Sequence, residues 1–286
     1  MTGFGYNAWR QLRPYLLIFP AILLFLALFI GPVMRALLLS VQTDEPGYNL
    51  HWYSRFLGSA YVGDLLFTLA IGAATAAICV IISLPIAFLL RRPFRGKPIV
   101  SLIILFPLVV PHIITGYSMW LSLLRNGPVF GLLVGRLGLL PEAPILVNAW
   151  TGLLIATVWK HFPITTLTLS AALNSLDPAI EEAARDLGAN LWRRLREIII
   201  PLLMPGLISG FVLVFVLTVT QFSITLIVYG GTIPGTIPMG IYYEVIHLLN
   251  WNYGSALGII LTLITLLLVV PVNRVVRRIN NEAISG

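Results

Sequence analysis

The residues best equipped for chemistry lie in a charged island, Asn174 to Pro201, reading NSLDPAIEEAARDLGANLWRRLREIIIP. It holds Asp177, Glu181, Glu182, Asp186 and Glu197, five of the chain's eleven carboxylates, with Arg185, Arg193, Arg194 and Arg196. Asp177-Pro178 is a helix start, an N-cap followed by proline at the first helical position. Glu181 and Glu182 fall in the first turn, where negative charge suits the helix dipole. Gly188 breaks that helix, and a second, basic helix is expected from about Leu191 to Ile200. Such a helix-turn-helix between two apolar stretches is suited to docking a soluble partner. Catalytic sets are poor elsewhere: His51, His112, His161 and His247 lie in separate segments without metal-ligand spacing, and no Ser/His/Asp set is recognisable. Cys79, the single cysteine, sits in an apolar run and reads as a small buried residue. No G-x-x-x-x-G-K-S/T phosphate loop occurs, so if transport is ATP-driven the ATPase is expected in a separate polypeptide. Inside the apolar stretches stand Lys160 and the group Gln221, Ser223 and Thr225. Lys160 reads as a side chain snorkelling to the inner interface, with a place on a solute path as the alternative. The Gln221 group either glues helices or lines such a path.

The island also carries a resemblance. Glu182-Ala183-Ala184, three residues, Gly188, nine residues, Ile198, one residue, Ile200 and Pro201 is similar to the EAA loop of bacterial ABC importer permeases. The family pattern has leucine where Ile200 stands, an apolar exchange. The resemblance implies a type I, binding-protein-dependent importer, its permease loop seated in a cleft of a separate ATPase. Glu182, Ala183, Ala184, Gly188, Ile198 and Pro201 are then the coupling residues, with Glu182 as a charged contact and Gly188 as the turn. Ala184 to Ala189 and the stretch Ile200 to Gly210 look more like the spermidine/putrescine group than like sugar permeases.

Several elements must position these residues. Hydrophobic residues make up 58% of the 286 and charged residues 10%, with a mean hydropathy of +0.93. So little polar surface marks an all-α polytopic membrane protein and excludes a soluble domain. The net charge of +7 is scattered at span ends, which lipid headgroups explain without nucleic acid. Residues 1–14 suit an interfacial segment and residues 15–278 a six-helix permease domain containing the loop 174–201, followed by a tail, 279–286. The expected spans run from Pro14 to Met34, Leu65 to Leu90, Pro98 to Leu124 (interrupted by Pro107 and Pro111), from Ile145 into the island, Leu202 to about Tyr229, and Asn252 to Asn273. Residues Gly230 to Trp251 are expected as a loop. With both termini cytoplasmic, thirteen Lys and Arg fall inside against three outside, which obeys the positive-inside rule and puts the island in the cytoplasm.

The resemblance further implies a second permease subunit, of a different chain, and an extracytoplasmic substrate-binding protein. No cofactor is expected in this chain, ATP and Mg being bound by the partner ATPase. The localisation is the bacterial inner membrane. Polyamine is the expected cargo, with ferric iron, aminoethylphosphonate or another small solute as alternatives. A membrane-embedded enzyme needs clustered acids or histidines at one interface, and a passive channel needs polar rings without an EAA loop.

Overall fold

The computed structural model describes residues 18–43, 47–138, 145–230 and 235–285, with side chains as far as Arg274. The expected interfacial segment, 1–14, lies outside them. In chain order the helices are α1 (Ile18–Val41), α2 (His51–Leu57), α3 (Tyr61–Arg91), α4 (Lys97–Val109), α5 (His112–Leu123), α6 (Trp150–Asn174), α7 (Pro178–Asp186), α8 (Leu191–Val219), α9 (Ser223–Val228), α10 (Ile237–Tyr242) and α11 (Trp251–Ser285). Four of these are long and apolar enough to cross a membrane: α1, α3, α8 and α11 as far as Arg274. α4 and α5 meet the same test as a pair, bent by 105° at its break, and count as a fifth span if taken as one. α6 has the length of a span, its 25 residues reaching about 37 Å at 1.5 Å per residue, but falls short of these in apolar character. It is the least apolar because it carries Lys160, His161 and a run of threonines.

The chain divides into two compact units. One comprises residues 1–59 and 241–260. There the Trp52 indole donates to the Gln42 carbonyl at 2.6 Å and stacks on Tyr253, whose ring also lies 4.6 Å from the Arg55 guanidinium. Such a cation over an aromatic face ties the short α2 down. The other unit comprises residues 60–240 and 261–286. Its centre is α3 packed on α6 and α8. Close approach is made by small residues: a Cβ on Gly72 would stand 2.6 Å from Val219 Cγ2, and one on Gly206 would stand 2.7 Å from Ala172 Cβ. Hydroxyls cross-link the same helices, Thr75 to Thr157 at 2.9 Å and Thr166 to Ser83 at 3.0 Å. Between helices already bathed in apolar surroundings, van der Waals fit and such bonds hold the bundle. Cys79 is fully buried there, as its apolar run implied.

Several boundaries differ from the sequence reading for physical reasons. The first helix continues past Met34 to Val41. The helix after Asn190 does not stop before the membrane but runs unbroken to Val219, so no span begins at Leu202. Pro201 removes one helical N–H, yet a π turn over Leu195–Ile199, with the Ile200 N–H on the Leu195 carbonyl, carries the ladder past it. The same span then breaks at Thr220–Phe222 and resumes as α9. Residues expected as a loop after Gly230 include α10 and the π turn Tyr243–His247. α11 continues to Ser285 through the expected tail.

Candidate functional site

The charged island folds as its residues dictate. The Asp177 carboxylate accepts the Ala179 N–H at 2.9 Å and caps α7, with Pro178 in its first turn. Glu181 forms an ion pair with Arg91 at the far end of α3, tethering α7 to the bundle. Gly188 has φ +80°, and around it the Gly188 N–H bonds the Arg185 carbonyl at 2.9 Å and the Ala189 N–H bonds the Ala184 carbonyl at 3.0 Å. That pair of bonds is a Schellman cap, which needs a left-handed residue. The Asn190 side chain accepts the Arg193 N–H at 2.8 Å and starts α8. Ile199 and Leu203 of α8 are buried with Ala87, Leu169 and Leu173, so α8 is rooted in the core from about its third turn.

Between α7 and the start of α8 lies a groove of about 540 Å³ lined by Ile180, Ala183, Ala184, Leu187, Ala189, Arg193, Glu197 and Ile198. Of the residues singled out by sequence, Ala183, Ala184 and Ile198 line it, Gly188 makes its turn, and Pro201 lies just beyond on α8. Glu182 is exposed and lies outside the groove lining. Leu187 is 89% exposed and Trp192 71%, large apolar groups on a segment rich in charge. Arg193 and Glu197 pair at 2.9 Å across one exposed helical turn.

A second constellation sits within the spans. Lys160 is 4% exposed, and its ammonium donates to the Pro107 carbonyl at 2.7 Å and the Val110 carbonyl at 2.5 Å. It does not snorkel. Pro111 has no N–H to offer the Pro107 carbonyl four residues back, and Val110, held extended before proline, leaves its own carbonyl outside any helix. The ammonium supplies both missing donors at the negative end of α4, the placement that the helix dipole favours. His161, also buried, faces Thr218 at 3.3 Å. At the break after α8, Gln221 and Thr225 are buried and Ser223 half-buried; the Thr225 hydroxyl bonds the Gln221 carbonyl at 3.2 Å. Lys160 and the Gln221 group thus each attend a break in a span.

Sequence reasoning missed the Arg91–Glu181 pair, whose partners lie 90 residues apart. It also missed the part played by Asp64, whose carboxylate accepts the Gly235 N–H at 2.7 Å, beside Thr68, which accepts the Ile237 N–H at 3.0 Å. Among the described residues no group of histidine, cysteine and carboxylate side chains has the arrangement of a metal site.

Comparison with known proteins concerns the chain as a whole. The model of the binding-protein-dependent transport system inner membrane component family matches residues 80–283. The chain is 28% identical over 260 residues to the trehalose/maltose transport system permease protein MalF of Thermococcus litoralis, covering 86% of this chain and 87% of that one. It is 29% identical over 232 residues to the spermidine/putrescine permease protein PotB of Haemophilus influenzae, covering 80% of each. It is 30% identical over 175 residues to the molybdenum permease protein ModB of Escherichia coli K12, covering 58% of this chain and 74% of that one. In fold it matches a chain of a bacterial ABC transporter involved in import of the acidic polysaccharide alginate, with a TM-score of 0.81 at 18% identity, covering 95% of this chain and 99% of the other.

Proposed function

This chain belongs to the family of binding-protein-dependent transport system inner membrane components, the ABC importer permeases, and from that membership we propose that it forms part of the path along which a small solute crosses the inner membrane, driven by a separate ATPase seated on the groove between α7 and α8. The observation that carries the coupling role is that groove, with Leu187 exposed in its lining and Trp192 exposed on the first turn of α8. α8 connects it without a break to the Thr220 break, so a push on the loop is delivered to the middle of the bundle as motion of a rigid lever. Glu182 is exposed for a charged contact, and the half-buried Arg194 keeps Nε and Nη1 without partners among the described residues. ATP and Mg belong to the ATPase. An extracytoplasmic binding protein delivers the solute, and a second permease subunit, of a different chain, completes the path. The charge ledger supports cytoplasmic termini and a cytoplasmic loop.

For the cargo, likeness to a spermidine/putrescine permease supports a polyamine, while other relatives carry the names of sugar and molybdenum permeases. A polyamine needs carboxylates along its way, and Asp64 is already committed to the Gly235 backbone. The test of the permease role is co-purification. Leu187→Asp places a charge on the exposed apolar edge and is expected to release the ATPase, with the permease itself still folded by size-exclusion chromatography. Retention of the ATPase by that variant and by Ala184→Trp, which fills the groove, overturns the docking assignment.

A further inference from the structure

The two broken spans pack on one another within about one turn of their breaks, α5 against α9. Gly116 of α5 lies against Ile224 and Ile227, and Met119, nearly a turn on, packs on the cluster that holds Ile224, Val228 and Tyr229. His112 stands four residues before Gly116 and Gln221 three residues before Ile224, so each lies within about one turn of that contact.

The groups gathered at this level are donors. α5 starts at Pro111 with no side-chain cap, and its first backbone bond is from the Thr115 N–H to the Pro111 carbonyl at 2.9 Å. The N–H groups of its first turn therefore point out of the helix start, with the positive end of the dipole behind them. Gln221 is 8% exposed and its Nε2 has no hydrogen-bond partner among the described residues. Lys160 spends two of its three ammonium protons on Pro107 and Val110, the residues that lead into His112. The His112 ring is exposed although it sits in a span. No acid answers these groups: the sequence has none from Leu65 to Pro141, from Ala143 to Leu176, or from Ile198 to Tyr243. α4, α5, α6 and α9 are therefore free of carboxylates, and α8 has none after Glu197. A buried ammonium, an unpartnered amide N–H and an open helix start, with no carboxylate, form a receptor for anionic oxygen. The same set repels an ammonium-bearing solute.

We propose that the cargo of this permease is an anion, an oxyanion or a carboxylate-bearing solute, and that it is received between the break before α5 and the break before α9, on the α5 start and Gln221, with the Lys160 charge behind them. This rests on the permease reading above. Cations are disfavoured here because the fixed charge has the wrong sign, and a neutral sugar leaves the ammonium unanswered.

The test uses the complex co-purified with its ATPase and binding protein, reconstituted in liposomes. The uptake probes are molybdate, sulfate, phosphate and galacturonate, with spermidine and maltose as the cationic and neutral comparisons. ATP-dependent uptake of an anionic probe is expected. Gln221→Glu is expected to lower it by about tenfold or more, because a carboxylate then faces the anion, and Gln221→Met by a few-fold through loss of the donor alone. His112→Glu introduces a negative charge at a second position, with folding checked by size-exclusion chromatography. Uptake of spermidine or maltose with none of the anionic probes overturns the anion assignment and leaves the permease reading standing. Anion uptake unaltered by either glutamate overturns the location. Failure of any ATPase to co-purify, with no ATP-dependent uptake of any probe, overturns both readings.

Discussion

Replacing Lys160 by methionine keeps the length and apolar stem of the side chain and removes the ammonium. Two bonds go with it, to Pro107 at 2.7 Å and to Val110 at 2.5 Å. Side-chain hydrogen bonds between membrane helices average about 0.6 kcal/mol and reach about 1.7, so the pair contributes roughly 1–3 kcal/mol. Relief of the buried charge offsets part of that loss, and the Pro107 carbonyl, buried and denied a donor by Pro111, adds to it. The net expectation is a destabilisation of about 2 kcal/mol, read as the unfolding free energy in mixed micelles. A double-mutant cycle isolates the cause. Pro111→Ala restores an N–H and lifts the restriction on Val110, so in the Lys160→Met background the broken span can re-form a continuous helix and satisfy its own carbonyls. The two changes are therefore expected to be less damaging together than their sum, by about 0.5 kcal/mol or more. Wild-type stability for Lys160→Met, or strict additivity of the two changes, refutes the claim that the ammonium holds the break.

Two further outcomes follow from backbone geometry and close packing. Gly188→Ala meets nothing within 4 Å of its new Cβ, so its cost is conformational alone, about 1–2 kcal/mol for an L-residue at φ +80°; ATPase stimulation by cargo is expected to fall while Gly188→Asn, which tolerates the left-handed region better, retains more of it. Gly72→Ala drives a Cβ to 2.6 Å from Val219 Cγ2 and 3.2 Å from the Phe215 ring, so α3 and α8 must separate, at a cost of about 1–3 kcal/mol measurable as a lowered thermal midpoint in detergent.

Most of the architecture was legible because its signals are local. A long uncharged run is a span wherever the rest of the chain goes, and Asp177, Pro178 and Gly188 set the ends of α7 through contacts within a few residues. Prolines were harder to read. Pro111 interrupts its span with a 105° bend, whereas Pro201 leaves α8 continuous, because a neighbouring π turn re-pairs the ladder there. Residues after Gly230 looked like a loop, yet they include helix pinned on the α3 side by Asp64 and Thr68.

The sequence by itself determined that the chain is a helical membrane protein, where its charged loop lies and which residues shape the loop's turn, since composition, charge placement and motif spacing need no tertiary knowledge. It pointed to Lys160 snorkelling to the interface, which the fold overturns, and left Gln221 between glue and lining. Only the tertiary structure decided that Lys160 caps a helix end 53 residues away, that Glu181 reaches Arg91, and that α5 and α9, each following a break, pack on one another. The physical reason is that a buried donor's role is set by whichever acceptor the fold brings within 3 Å, and that pairing is written in packing, not in spacing along the chain.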